Sequence, residues 1–419
     1  MVCLKLEFNI GNLKHSNLKN LLLAIFTATI GTLPVFLTGA LGPEIEKHLG
    51  LTSANLGELV ATYFLFAGLS SFTLKSLADN RSPLIVMLYG LSVSSVGTLL
   101  IAIFAYNFML FLIWLSICGI AAGIIQPATN AFLSDEIVKT RQGLAFGVKQ
   151  SATPASTLLG GLALPLIALT VGWQYSYLIA FFMGLICISF IVANIHKNSR
   201  IAYPVNSSIK ADKDSKSELR HHRGALIMLT FGFALGSATA NTYGSFFVSE
   251  TVKAGFNPKV IGYVFAASSV TNLIVRVVFG NFADKKQNNK FPNVLNWVII
   301  MLAVGSVGYL FFLTHNIVTI SVGSFLAALL GWGWPGLTNL AVVRRFPEVA
   351  HRATGVTQTG VYFGAVLGPI IFGFLDANFS ADLAWSVNFI MAIAAAVTIF
   401  VGKTYLYLNK AFSTNEVVK

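Results

Sequence analysis

Twelve apolar stretches of roughly 20 residues constrain the fold of this chain more than any other feature. A bilayer core of about 30 Å is crossed by about 20 residues of α-helix, whereas a membrane β-strand needs only about ten residues of alternating polarity. The stretches are long and continuous, and they predict an all-α polytopic membrane protein with twelve transmembrane helices. They run approximately over residues 21–41, 55–75, 84–104, 108–132, 143–167, 174–195, 225–248, 258–281, 292–313, 317–342, 354–375 and 385–406.

The composition agrees with a chain that lives in lipid. Hydrophobic residues make up 55% of it and charged residues 11%, and the mean hydropathy is +0.73. If the N-terminus is cytoplasmic, most of the 28 Lys and Arg residues lie on or near the cytoplasmic side. The exceptions are Lys47, Lys253 and Lys259. The net charge of +12 therefore indicates orientation and contact with anionic membrane lipids, not a nucleic-acid partner. We expect a multi-pass protein of the plasma (inner) membrane with both termini cytoplasmic.

The motifs of enzymes and cofactor proteins are absent from the sequence. Cys3, Cys118 and Cys187 have no paired spacing for a disulfide or a metal. The chain has no Walker loop, no His-Glu-x-x-His and no nucleophile elbow. We therefore predict no enzymatic activity, no cofactor and no metal site.

A polar stretch divides the twelve windows six and six. Residues 196–223 carry seven Lys/Arg and three acids among serines, which is typical of a flexible linker. The predicted units are an N-terminal six-helix bundle at 1–195, a cytoplasmic linker at 196–223 and a C-terminal six-helix bundle at 224–419.

The two halves repeat three short motifs in the same order, as expected of transporters built by internal duplication. The matched pairs are Leu77–Arg81 with Phe282–Lys286, Pro127–Asn130 with Pro335–Asn339, and Gly147–Gln150 with Gly355–Gln358.

On these residues the chain resembles the major facilitator superfamily (MFS) over essentially its whole length. The family form of the first motif is Gly-x-Leu-Ala-Asp-Arg-x-Gly-Arg-Lys; the copy around Asp79 is degenerate and the copy at Gly280–Lys286 is closer. The resemblance implies two pseudo-symmetric six-helix bundles, the MFS fold, with a solute bound between them and alternating access to the two sides.

The resemblance also implies a gating role for the loop acids. Asp79 would lie near the N-terminal end of span 11 and pair with Arg141, and Asp284 would pair with Arg352 in the other half. Alternatively, these acids cap helices or lie in solvent.

Two cations within the apolar stretches suggest an anionic substrate. Lys149 lies in span 5 and Arg276 in span 8, and a charge at the bilayer centre costs at least about 2.5–3.5 kcal/mol. Family architecture packs spans 5 and 8 together at the interface of the halves. Alternatively, both side chains extend to the cytoplasmic surface or pair with acids such as Asp135, Glu136 or Asp284. Glu58 lies close to the non-cytoplasmic end of span 2 and is predicted to be an interfacial residue.

Neutral polar residues cluster where the motifs repeat, and they should face the bundle interior, either to bind solute or to bond neighbouring helices. Pro34 predicts a kink or an unwound point in span 1. Trp334 either walls a cavity or packs between helices. The predicted substrate-binding set, besides Lys149 and Arg276, is Gln126, Asn130, Gln150, Trp334, Asn339, Gln358 and Tyr362.

Together these features predict a secondary active or facilitative transporter of a small solute, preferably an organic or inorganic anion. The alternatives are an exporter of hydrophobic compounds or drugs, and a membrane receptor of the same fold that moves no solute. We expect a monomer, with H+ or Na+ as a candidate coupling ion.

Overall fold

A computed structural model describes residues 15–74, 81–134, 142–198, 222–285, 292–314, 316–347 and 349–416. All regular secondary structure in these ranges is helical. Twelve helices in the described ranges are long and apolar enough to cross a membrane, which confirms the predicted number of spans. Spans 1 to 12 are His15–Ala40, Ser53–Thr73, Pro83–Phe104, Phe108–Ser134, Gln142–Val171, Gln174–Asn198, Arg223–Lys253, Pro258–Lys285, Pro292–Phe311, Ile317–Arg345, Ala350–Asn378 and Ala381–Glu416.

Local sequence signals mark several helix ends. Spans 3, 8 and 9 begin at a proline, which lacks the N–H that the first turn of a helix leaves unbonded anyway. Span 2 begins with a reciprocal cap in which Thr52 Oγ1 accepts the Asn55 N–H and Asn55 Oδ1 accepts the Thr52 N–H. A short helix that the sequence analysis did not predict, Gly42–Leu49, joins spans 1 and 2.

Spans 5 and 10 are interrupted, and these breaks were not predicted either. Span 5 consists of Gln142–Gln150 and Ala152–Ala163, followed by a π-helical turn at Leu164–Ala168. Span 10 has a π-helical turn at Ala327–Gly331 and resumes as a helix at Pro335–Arg345. The predicted unwinding of span 1 at Pro34 is wrong, because the helix continues to Ala40.

The bundle has two sides, named here by their loops. The linker side carries the end of span 6 at Asn198 and the start of span 7 at Arg223. The far side carries the Gly42–Leu49 helix and the end of span 7 at Lys253.

The halves share one core on the far side and have separate cores on the linker side. The far-side core mixes residues of both halves, among them Phe36 and Tyr63 with Tyr243 and Trp332. A second core contains residues of the C-terminal half only, between Ala225 and Leu406. A third contains residues of the N-terminal half only, between Ala24 and Ile191. The hydrophobic packing therefore joins the halves most strongly on the far side.

Close backbone contacts explain how the halves meet. A carbon added at Gly39 of span 1 would lie 2.6 Å from Ser245 Cα of span 7, so only glycine fits at this far-side crossing. Spans 5 and 8 pack along their length, from Gly161 beside Gly262 to Gly143 beside Gly280. Span 4, in contrast, packs mainly on spans 1, 2 and 3 of its own half.

Candidate functional site

Lys149 occupies the last turn of the first segment of span 5 and has no protein partner among the described residues. Gly147 faces span 8, and Lys149 lies about 200° further around the helix, so it points away from that contact. Ser156, in the second segment of span 5, bonds to the Thr29 carbonyl oxygen and to Thr32 of span 1, each at 2.8 Å. The Lys149 side chain is only 8% exposed. Within the described ranges it makes no hydrogen bond or ion pair, and the acids Asp135 and Glu136 lie outside those ranges.

Amide side chains of the predicted set are also left unbonded. In the part of the chain that the structure describes, none of their side-chain amides makes a hydrogen bond. An unbonded amide is unfavourable away from water, so these groups must face water or a ligand. Asn241, by comparison, donates to the Ser237 carbonyl oxygen at 2.9 Å. The unbonded amides are Gln126, Gln150, Asn339 and Gln358, which are half-buried, and Asn130, which is exposed.

Tyr362 has a different position from these amides. Its ring lies against Gly68 of span 2, so Tyr362 packs between spans 2 and 11 of opposite halves.

Arg276 is buried, and three of its five N–H groups donate to neutral acceptors. Its Nη1 donates to the Gln150 carbonyl oxygen at 2.6 Å, its Nη2 to the Trp332 carbonyl oxygen at 2.7 Å, and its Nε to Asn272 Oδ1 at 2.8 Å. The side chain is 3% exposed. The proposed alternative for Arg276, an extended side chain or a pair with an acid such as Asp284, does not match these contacts.

Trp334 packs inside the C-terminal half, as the packing alternative predicts. It is 1% exposed, its ring stacks with Phe233, and its Nε1 donates to the Gly331 carbonyl oxygen. Trp332 instead lies at the junction of the halves, edge-on to Phe36 of span 1 with 5.4 Å between ring centroids. The preceding π-helical turn rotates the two tryptophans to places that their spacing alone does not indicate.

Asp284 caps span 5 across the boundary between the halves. Its carboxylate accepts the Gly143 N–H at 2.8 Å and the Leu144 N–H at 2.7 Å. This arrangement places a negative charge at the positive end of the helix. Asp284 also forms an ion pair with Arg344, at 3.2 Å.

Arg344 is a partner of Asp284 that the sequence analysis missed. It lies in the last turn of span 10, where it also donates to the Ala283 carbonyl oxygen at the end of span 8. Arg352 lies in the first turn of span 11, and its predicted pairing with Asp284 stays a prediction. Asp79 and Arg141 fall outside the described residues, so their pairing stays a prediction too.

A charge cluster on the far side was missed by the sequence analysis. Lys253 Nζ lies 3.1 Å from Glu46, 2.9 Å from Glu250 and 4.0 Å from Asp376. The three carboxylate side chains are at most 9% exposed. Burial raises the pKa of Glu46 above its ordinary value, against the opposing effect of Lys253. The available sequence signal was the presence of acids beside apolar spans. Glu58, on the same side, is exposed as expected.

The cluster ties the two halves together, and we call it the far-side latch. Glu46 belongs to the N-terminal half, while Lys253 belongs to span 7 and Asp376 to span 11 of the C-terminal half. Ser249 Oγ also donates to Glu46 at 2.7 Å. The charged contacts close the bundle above the shared aromatic core.

Two six-helix halves share a core and a charge cluster on the far side and carry unbonded polar side chains in their spans. This arrangement is that of a membrane transport protein. The family model described as Major Facilitator Superfamily matches residues 21–361, and the chain belongs to this family of transporters.

Several curated relatives are similar over most of their length. The "Uncharacterized MFS-type transporter YbcL" of Bacillus subtilis (strain 168) is 23% identical, with 90% of this chain and 95% of the relative covered. The "Quinolone resistance protein NorA" of Staphylococcus aureus (strain MRSA252) is also 23% identical, with 87% and 91% covered. The "Gentisate transporter" of Corynebacterium glutamicum is 24% identical, with 91% and 86% covered.

A solved transporter has the same fold. The bacterial homologue of the human lysosomal transporter Spinster, in an inward-facing and unoccupied conformation, gives a TM-score of 0.68 at 14% identity. The similarity covers 94% of this chain and 97% of the solved one. These values support the MFS fold that the repeated motifs predict.

Proposed function

We propose that this transporter carries a small organic anion across the plasma (inner) membrane by alternating access between its two halves. The linker side is cytoplasmic in this proposal, as the distribution of Lys and Arg predicts. The anion enters from the linker side and binds Lys149, with the unbonded amides as its hydrogen-bond donors.

The observation that carries the proposal is the buried ammonium of Lys149, which has no partner among the residues that the structure describes. A buried cation without a counter-charge is costly, and an anion that reaches it recovers that cost as binding energy. Arg276 adds positive charge, and three of its five N–H groups already bind neutral oxygens. The site therefore suits a monoanion with further polar groups.

The amides support binding of such a solute from several directions. Gln126 and Asn130 belong to span 4, Asn339 to span 10 and Gln358 to span 11, so both halves contribute. Amides donate and accept hydrogen bonds, which suits carboxylate and hydroxyl groups on one small molecule.

Export of hydrophobic drugs is the less favoured function. The relatives alone do not decide between drug export and anion transport, since one is named for quinolone resistance and another for gentisate, a hydroxylated benzoate. Among the described residues, the acids that belong to the spans lie near helix ends, as Asp284, Glu250 and Asp376 do, and not beside the unbonded amides. A cation-lined site favours the anion.

A thermal-shift screen tests the proposal. The purified protein is heated with a panel of organic anions, including gentisate, and with sugars, amino acids and cationic drugs. We expect stabilisation by one or more anions, and its loss in Lys149→Gln. Lys259→Gln, which removes an exposed cation on the far side, is the control and should retain the shift. Stabilisation only by cationic drugs would contradict the proposal. The coupling ion, H+ or Na+, and the monomeric state stay predictions.

A further inference from the structure

We propose that Arg276 is a positioning residue that ties the broken helix of one half to the broken helix of the other and so fixes the pivot of the transport movement. The inference rests on the alternating access proposed above, but it does not require Arg276 to touch the solute.

Pro154 explains why the Gln150 carbonyl oxygen needs a donor from elsewhere. In a continuous α-helix this oxygen would accept the N–H four residues later, and that residue is Pro154, which has none. Span 5 breaks at this place, between Gln150 and Ala152. Arg276 Nη1 supplies the missing donor at 2.6 Å.

Span 10 presents a second carbonyl oxygen of the same kind. Trp332 lies between the π-helical turn and the helix that resumes at Pro335, so its carbonyl oxygen is outside the regular ladder. Arg276 Nη2 donates to this oxygen at 2.7 Å. One planar guanidinium thereby satisfies two buried oxygens, one from each half, and only the fork of an arginine can reach both.

The surrounding packing makes this place suitable for a pivot. Span 5 stays against span 8 on the linker side, where a carbon added at Gly143 would lie 2.5 Å from the Gly280 carbonyl oxygen. On the far side the same spans remain in contact at Gly161 and Ala266. Between these contacts, Thr157 Oγ1 donates to Ser269 Oγ at 2.8 Å. A pair of helices that touches on both sides of the bundle can rotate without separating, and Arg276 lies within that pair.

Asn272 holds the guanidinium in the required direction. Its Oδ1 accepts the Arg276 Nε–H at 2.8 Å from one turn earlier on span 8. The Trp332 ring lies 5.9 Å from the guanidinium carbon and adds a cation–π contact. Because these contacts involve neutral groups, the link that Arg276 makes between spans 5 and 10 does not depend on the protonation of an acid.

Spin labels measure the effect on the movement without a substrate. Labels at Thr73→Cys and Thr404→Cys, two exposed positions on the linker side of opposite halves, report the distance between the halves. Cys3 is replaced by Ser, and Cys118 and Cys187 are buried. The variants are Arg276→Lys, Arg276→Gln, Pro154→Ala and the double variant Arg276→Gln with Pro154→Ala. Arg223→Lys, at an exposed arginine, is the control.

We expect Arg276→Lys to broaden the distance distribution by about twofold or more, because an ammonium keeps the charge but lacks the fork. The Arg223→Lys variant should match the unchanged protein. The distance distribution of the double variant should be narrower than that of Arg276→Gln, because the Pro154→Ala change restores a backbone N–H that can bond the Gln150 carbonyl oxygen. Two results would overturn the proposal. One is a distance distribution that is unchanged in Arg276→Lys, and the other is a distribution in the double variant that is as broad as in Arg276→Gln.

Failure of the anion proposal gives a different result. If Lys149 does not bind an anion, the thermal shifts disappear while the effect of Arg276→Lys on the distance remains. If Arg276 is itself a substrate ligand and not a tie, Arg276→Lys should leave the distance unchanged without ligand and lose the anion-induced thermal shift.

Discussion

Lys253 Nζ lies 3.1 Å from Glu46 across the boundary between the two halves. This contact crosses from span 7 to the short helix after span 1, above the shared aromatic core. Opening the far side would break it and expose Glu46 to water. The far-side latch is therefore an element whose strength should change with pH.

Glu46 should make the stability of the closed protein depend on pH. Burial raises its pKa above the ordinary value of about 4.5, so the folded protein binds this proton more tightly than the unfolded chain. Stability contributed by the proton is present at low pH and is lost as pH rises from about 4.5 through the folded pKa. We expect the melting temperature to fall as the pH rises through that interval, and the fall to be smaller in Glu46→Gln.

Glu58→Gln is the matched control for this titration. Glu58 is exposed on the same side, so its removal should leave the pH dependence of the melting temperature unchanged. The charged groups that act on Glu46 are Lys253 and Asp376, and they remain in both variants. Equal pH dependence in Glu46→Gln and the unchanged protein would show that Glu46 is not responsible.

Asp284 should contribute more to stability than the arginine it binds. Asp284→Ala leaves the Gly143 and Leu144 N–H groups without their acceptor, at about 1–3 kcal/mol for a buried donor. Arg344→Ala removes one partner of Asp284 and leaves that cap intact. Chemical unfolding monitored by circular dichroism should therefore rank Asp284→Ala as the more destabilised variant.

The control for this comparison is Asp382→Ala. Asp382 is also an acid in the first turn of a span, but it is exposed. Its loss should cost less than about 1 kcal/mol, the usual range for an exposed charge at a helix N-terminus. If Arg344→Ala proved as destabilising as Asp284→Ala, the ion pair and not the helix cap would be the main contribution.

A methyl group at Gly39 should hold the far side open. In Gly39→Ala the new carbon would lie 2.6 Å from Ser245 Cα, so spans 1 and 7 must separate. Spin labels at Glu58→Cys and Lys259→Cys, exposed far-side positions in opposite halves, should report a longer distance. Gly355→Ala, where nothing lies within 4 Å of the new carbon, is the control and should leave this distance unchanged. An unchanged distance in Gly39→Ala would show that the crossing is not closed by this contact.

The number and type of helices could be predicted from sequence because lipid imposes a simple rule. A span needs about 20 apolar residues whose backbone bonds to itself, and this pattern is visible without tertiary contacts. The breaks in spans 5 and 10 do not follow from that rule. Pro34 and Pro154 are both prolines within spans, yet the helix continues through one and breaks beside the other. At Pro154 the cost of the break is offset by Arg276, a residue more than a hundred positions away in the chain.

The candidate site could be predicted only in part for the same reason. A buried lysine such as Lys149 is conspicuous in an apolar segment, and its position was foreseeable. The absence of any partner for it in the described residues depends on packing. Trp334 shows the opposite case, since one residue type fits both a cavity wall and a core, and only the stack with Phe233 decides. The far-side latch joins acids from three separate helices, and no spacing in the sequence brings them together.

Uptake into proteoliposomes tests the central claim, that Lys149 binds a transported anion, most directly. The initial rate is measured with the anion that gives the largest thermal shift, at a concentration below half-saturation, for the unchanged protein, Lys149→Gln and Lys259→Gln. We predict a loss of about tenfold or more in Lys149→Gln, since tenfold corresponds to about 1.4 kcal/mol and a lost charged contact costs at least that much. Lys259→Gln should transport at the unchanged rate. Equal uptake by Lys149→Gln and the unchanged protein would contradict the account.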